Sequence, residues 1–491
     1  MSRSQQSSLW HQRDFMLLWG GQTISELGSS VTVVALPLVA VVLLRASTLE
    51  VGLLSAATML PFMLIAIPAG LVVDRLAKRW IMITCDAARL VLIGSVPVTY
   101  GLGMLTLGQL FAVALLSGIC TVFFDVAYQS YLPELIGRDR LMEGNGKLGA
   151  TQSFAQVAGP SLGGALYGLV RAGALTADAL SYAASTASLL VIRAKDTRHV
   201  PAGVDARADA RPATHAQPAT HAQPATHAQP ATHAQPATHA QPGTHAQPGT
   251  DAQPDARPRR VRTELLAGLS FVIRHPVLRK IVACTGTANL FNSMIFALEI
   301  VFLVRVLHVR PSLTGLLVAA GGLGGVLGGV ASGPIGRLVG TARIIWVSLL
   351  GFGPIGLALP LAEPGWRLVL YPIGLASFTF SAVLYNIAQL SYRQTICPPE
   401  LLGRMNAAVR WIVWGTLPIG GALGGVLGSA VGIRPTMWAG VIGCWAAGLW
   451  VYFSPLRGMR DVPGELPGQA AADEAAAPAP APSPVAPADQ A

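Results

Sequence analysis

Hydrophobic positions in this chain come in long uninterrupted blocks, with the polar positions gathered into short stretches between them. "VTVVALPLVAVVLL" (31–44), "GLLSAATMLPFMLIAIPAGLVV" (52–73) and "IIWVSLLGFGPIGLALPLA" (344–362) are three such blocks. At about 1.5 Å per residue, blocks of this length cover much of a hydrocarbon core roughly 30 Å thick. The pattern predicts an all-α membrane protein with twelve spans, at 16–43, 48–72, 80–102, 107–130, 147–170, 173–193, 278–305, 311–337, 342–362, 367–394, 405–430 and 434–454.

The blocks repeat. "LEVGLLSAATMLPFMLIAIPAG" (49–70) lies over "SLTGLLVAAGGLGGVLGGVASG" (312–333), with Gly52 over Gly315 and Gly70 over Gly333 at one offset of 263 residues. "PELIGR" (133–138) returns as "PELLGR" (399–404), and "FDVA" (124–127) as "YNIA" (385–388). Six helices is an even number, so both copies keep the same orientation. This is a parallel repeat of two pseudo-symmetric six-helix bundles about an axis normal to the membrane, with a polar gap between them for a substrate.

Composition agrees: 52% of the 491 residues are hydrophobic and 12% charged, where a soluble domain carries about 25% charged. Arg3, Arg13, Arg75, Lys78, Arg79, Arg138, Arg140, Lys147, Arg337, Arg343, Arg393, Arg404, Arg457 and Arg460 all fall on one side. The other side and its flanks hold only Arg45, Arg171, Arg305, Arg310, Arg367 and Arg434. By the positive-inside rule the richer side is cytoplasmic, with both termini there, in a bacterial plasma membrane. The formal charge of +10 then needs no nucleic acid to explain it. The first apolar run is too long for a signal-peptide core and is read as the first helix. The cysteines Cys85, Cys120, Cys284, Cys397 and Cys444 show no CxxC spacing and read as packing residues.

Residues 1–193 and 277–456 are the expected bundles, joined by 194–276 and followed by an Ala/Pro-rich tail, 457–491. Within the linker, residues 199–262 lack Leu, Ile, Met and every aromatic, so nothing offsets the entropy of ordering them. A histidine stands at every sixth position from His215 to His245. Proline in each hexad favours polyproline II, where six residues advance about 19 Å, so neighbouring histidines cannot share an ion. No metal site is expected there. After it, "TELLAGLSFVIRHPVLRK" (263–280) reads as a short amphipathic helix entering the seventh span.

"GLVVDRLAKR" (70–79) resembles the G-x-L-x-D-R-x-G-R-K signature of the major facilitator superfamily: Gly70, Asp74, Arg75, Lys78 and Arg79 match, while Val72 and Ala77 depart from it. Charges at a helix end that pair in one conformation and part in another would make a cytoplasmic gate; the plainer alternative is anchoring to lipid headgroups. Asp125 resembles the gate's acidic partner, with proton carriage as the alternative role. Asp86 and Arg89, at i and i+3, read as a local pair. "GKLGATQSFAQVAGPSLGG" (146–164) resembles the antiporter signature of the superfamily's exporters through Gly146, Gly159, Pro160, Gly163 and Gly164, with Ala155 for one Gly; generic glycine packing is the alternative. In that fold the second, fifth, eighth and eleventh helices line the contact between halves. "FMLLWGGQTISELGSSVTVVALPL" and "YRQTICPPELLGRMNAAVRW" further resemble the drug and siderophore exporter branch.

Glu26 lies some 15 Å into the first span, near the midplane, where a carboxylate is costly unless it pairs or carries protons. Gln22 is beside it, and Asn289 and Asn292 stand at and near its repeat-equivalent place. Glu299 reads as a rim charge nearer the outer surface. No HExxH, GxxxxGK[ST] or catalytic carboxylate pair is present, so neither an enzyme nor ATP-driven transport is expected, and no cofactor. The expectation is a monomeric proton antiporter in the lipid bilayer, exporting a small amphipathic molecule. The alternatives are a proton-linked or facilitated importer, and a membrane sensor with a metal- or pH-responsive His-rich loop.

Overall fold

The computed structural model describes residues 9–73, 75–137, 140–193, 270, 272–397 and 399–461, and among these the regular structure is all helix, with no strand. The helices are α1 (Arg13–Leu38), α2 (Thr48–Val73), α3 (Lys78–Gly101), α4 (Leu107–Ile136), α5 (Leu141–Val170), α6 (Leu175–Val191), α7 (Leu278–Val301), α8 (Pro311–Val339), α9 (Ile344–Leu361), α10 (Leu370–Ile396), α11 (Pro399–Ala430) and α12 (Ile433–Tyr452). The His repeat, the tail after Asp461, Asp74 and residues 263–269 and 271 of the expected amphipathic helix lie outside the described residues.

Ten helical stretches among the described residues are long and apolar enough to cross a membrane. One of them, Glu143–Val191, contains both α5 and α6, parted by a 3-10 turn at Arg171–Ala174, and α12 is not among the ten. Large apolar side chains such as Val91, Leu169, Val330 and Leu338 are exposed on the helices, which suits a surface solvated by lipid. Helices outrun their apolar blocks mainly at the basic end: α4 continues to Ile136 and α5 begins at Leu141. Polar residues there leave the hydrocarbon pattern without leaving the helix. Gly137, at φ 76°, stops α4 in the left-handed region that only glycine enters freely.

The repeat is visible in the backbone. α1 ends in a π turn at Val39–Leu43 and α7 in a π turn at Phe302–Val306. Each is followed by a non-glycine residue at positive φ, Arg45 (51°) and His308 (55°). The turns close alike: Ala46 N donates to Ala40 O at 2.9 Å, and Val309 N to Leu303 O at 2.9 Å. All these pairs stand 263 apart, the offset of the sequence repeat.

α9 is the irregular segment. It is α-helical only at its ends, with a π turn at Ser348–Phe352 and a 3-10 turn at Gly353–Leu357 between them. Pro354 and Pro360 remove backbone donors from it. Within the first half α1 packs on α5 and α6, α3 on α4 and α6, and α4 on α2; within the second, α7 packs on α11 and α12, and α10 on α8 and α9; α2–α11 and α5–α8 make the large contacts between halves.

Candidate functional site

In the first half a polar cluster fills the space between α1, α3, α4 and α6. Asp86 and Arg89 form a buried ion pair on α3, and Ser185 of α6 donates to the other Asp86 oxygen at 2.6 Å. The guanidinium is held between rings, 4.6 Å from the Phe124 centroid and 4.5 Å from that of Tyr182. Tyr182 meets Ser29 of α1 at 2.8 Å, and Asp178, fully buried on α6, accepts from Thr32 and Ser181. Glu26 is half-buried beside this cluster and accepts from Gln22 Nε2 at 3.4 Å. Arg89 is within electrostatic range of Glu26, Asp125 and Asp178, and Arg410 of α11, in the other half, is within electrostatic range of Asp125.

The local pair expected at Asp86 and Arg89 is therefore the centre of a larger network, and Asp178 was missed. Three residues of spacing reveal an i,i+3 pair; nothing local reveals that α6, some hundred residues on, supplies its hydroxyls. Arg89→Leu is expected to lower the thermal stability of the purified protein sharply, since unpairing a buried charge costs about 3–5 kcal/mol. Adding Asp86→Leu is expected to restore most of it. A double variant no more stable than the single would show that the pair is not what holds these helices.

The loop after α2 engages its own half. Lys78 pairs with Glu134 at the end of α4, and Arg79 donates to the carbonyls of Leu189 (2.8 Å) and Leu190 (2.9 Å) at the end of α6. Arg75 is exposed, and Gly70 has open space where a Cβ would sit. Asp125 is placed with Glu26, Arg89 and Arg410, while the carboxylate found beside this loop is that of Glu134, which sequence reasoning did not single out.

Between the halves, glycine brings backbones together at the end predicted to face outward. A Cβ at Gly52 of α2 would meet the Gly425 backbone of α11, and one at Gly164 of α5 would lie 2.6 Å from Gly315 N of α8. Arg305 donates to the Ala46 carbonyl across the same end. Deeper in, Phe62 and Trp414 meet edge to face at 5.1 Å. In the antiporter-like stretch, Gly159 and Gly163 face Ser30 and Val31 of α1, Pro160 and Gly164 face α8, Ala155 is buried, and Gly146 has open space. α5 thus joins the helix carrying Glu26 to the opposite half.

The second half holds a partly open cavity of about 100 Å³ between α7, α9, α10 and α12, lined by Asn289, Asn292 and Asn386 among others. Asn289 Nδ2 donates to the Val413 carbonyl at 3.2 Å, whereas Asn292 Oδ1 is buried with no hydrogen-bond partner among the described residues. Glu299 is not a rim charge. It is 5% exposed inside an apolar cluster and accepts from Tyr371 at 2.7 Å. Position along the chain places the residue on α7 but does not say which side of the helix the carboxylate takes.

Residues 18–418 match the family described as Major Facilitator Superfamily. The chain belongs to that superfamily. It is a membrane-spanning transporter. Along 425 residues it is 22% identical to the multidrug efflux pump Tap of Mycolicibacterium fortuitum, covering 84% of this chain and 88% of that one. The fold is similar to that of the nucleoside transporter NupG (TM-score 0.63, 10% identity, 89% and 97% covered). A bacterial homologue of the iron transporter ferroportin matches with TM-score 0.59 facing inward (14% identity, 91% and 98% covered) and 0.52 facing outward (13%, 91% and 100%).

Proposed function

We propose that this protein exports small amphipathic organic molecules across a bacterial plasma membrane in exchange for protons, by alternating access, with both termini cytoplasmic. The observation that carries the reading is α5: its glycine and proline face packs at once on α1, which bears Glu26, and on α8 of the opposite half. A change of protonation on α1 then has a rigid path to the contact that must open. The likeness to a multidrug efflux pump supports the outward direction.

In this reading the end closed by Gly52, Gly164 and Arg305 is extracellular, and the polar gap expected between the halves opens to the cytoplasm to collect cargo. Glu26 and Asp125 bind protons from outside and release them inside. Arg89 and Arg410 compete with the proton for these carboxylates, which sets when release occurs. Asp74, Arg75, Lys78 and Arg79 latch the cytoplasmic ends when the halves rock the other way. The cycle uses one chain, its cargo, protons and the bilayer.

The test is reconstitution. Proteoliposomes with an imposed pH gradient should move a lipophilic fluorescent amine uphill, and collapse of the gradient should stop it. Accumulation that persists without a gradient, or that is absent across a broad dye panel, would sink antiport. Within the same assay, deleting residues 213–248 is expected to leave flux nearly unchanged, because the remaining linker still spans the halves and closure entropy varies only logarithmically with length. Loss of more than half the flux at equal protein would give the His repeat a role.

A further inference from the structure

The cavity of the second half is the repeat counterpart of the Arg89 site in the first. Arg79 and Arg343 stand at the starts of α3 and α9, one residue off the 263-residue repeat, and ten residues on from each stand Arg89 and Gly353. Phe124 corresponds to Tyr385 in the "FDVA"/"YNIA" pair, and Tyr182 to Trp445 at the 263-residue offset. In the first half two rings hold a guanidinium. In the second half, Gly353, Tyr385 and Trp445 all line the cavity, and no cationic side chain is among the described residues that line it.

We propose that this cavity binds the cargo through a flat, cationic, N–H-bearing head group, a guanidinium or amidinium, in the place that Arg89 fills by symmetry. The proposal rests on the export reading and adds the cargo's chemical class to it. Three features select that class. The volume of about 100 Å³ is smaller than the roughly 150 Å³ cavity that takes benzene, so it suits a head group and leaves the apolar remainder of the cargo outside. Tyr385 and Trp445 are among the lining residues, and aromatic rings attract cations. Asn292 Oδ1 is a buried acceptor without a donor among the described residues, and a head group rich in N–H supplies one. No carboxylate is among the lining residues, so binding is expected to be modest and reversible, as release at the other face requires.

Gly353 makes the space available. A Cβ there would come within 3.0 Å of Trp445 Cδ1, so any side chain presses on a ring that lines the cavity. Gly353→Arg would place in the second half what Arg89 places in the first.

The experiment is equilibrium binding of benzamidinium, with neutral benzamide as its isostere, to the purified full-length protein in nanodiscs, without a gradient. Benzamidinium is expected to bind at least tenfold tighter than benzamide. Asn292→Leu should weaken it at least tenfold, and Gly353→Arg should abolish it. Asn292→Asp should tighten it severalfold, an outcome that a misfolded variant cannot imitate. Equal binding of the two probes, no binding of either, or Asn292→Asp leaving affinity unchanged would overturn the proposal. Because no gradient is used, export and cavity fail separately: binding as expected without proton-driven flux sinks antiport alone, and normal flux with none of these binding effects sinks the cavity alone.

Discussion

Glu26→Gln is expected to abolish uphill, gradient-driven export while sparing downhill exchange of substrate for substrate. Glutamine keeps the length of the side chain and its hydrogen bond from Gln22, which lies at 3.4 Å in the parent, but it cannot release a proton. Steps that only need the halves to rock with cargo on board continue; the step that harvests the gradient does not. Glu26→Asp retains a carboxyl on a shorter stem and should keep partial uphill transport with a displaced pH optimum. The measurement is counterflow and pH-driven uptake in the same proteoliposomes. If the Gln variant concentrates dye as well as the parent, Glu26 is a structural polar group, and Asp125, which shares Arg89 with it, becomes the carboxylate to test.

How much of this was legible in the sequence differs by scale. Helix positions were legible because hydrocarbon imposes long apolar blocks, and the repeat extends even to the π turns after α1 and α7, which no propensity announces. The two large contacts between halves, made by α2, α5, α8 and α11, followed from the family resemblance, and glycines stand where their backbones touch. What stayed hidden is rotational. Glu299 reads as a rim charge until α10 brings Tyr371 against it, and Asp178 is invisible beside the hydroxyls it accepts from, since Thr32 lies on α1 far earlier in the chain. An apolar block is hydrophobic all round, so it carries no moment to say which side faces protein and which faces lipid. Motif glycines are also unequal: Gly146 belongs to the same signature as Gly164 but meets nothing in this conformation.

Two neighbouring glycines of that signature should therefore fail differently. Gly164 faces Gly315 across the halves, and a Cβ there would come within 2.6 Å of its nitrogen and 2.8 Å of its Cα, backbone atoms that no rotamer change can move aside. Gly164→Val must separate the halves at this end, and overpacking of this kind costs about 1–3 kcal/mol, roughly a 5- to 150-fold shift in a two-state equilibrium. The opposite conformation, with this end apart, pays none of it, so the variant is expected to populate that state and lose export. Gly163 instead faces α1 within its own half, where an added Cβ would lie 2.7 Å from the Val31 carbonyl oxygen, a contact that rigid rocking of the halves does not relieve. Gly163→Val is expected to lower folded yield while leaving the conformation of the surviving protein unchanged. Pulsed spin-label distances between Ser47 and Val431, exposed at this end of opposite halves, separate the two cases. A wider distance for Gly164→Val with no widening for Gly163→Val is the expected result. An unchanged distance and full flux for Gly164→Val would mean that this contact does not gate transport.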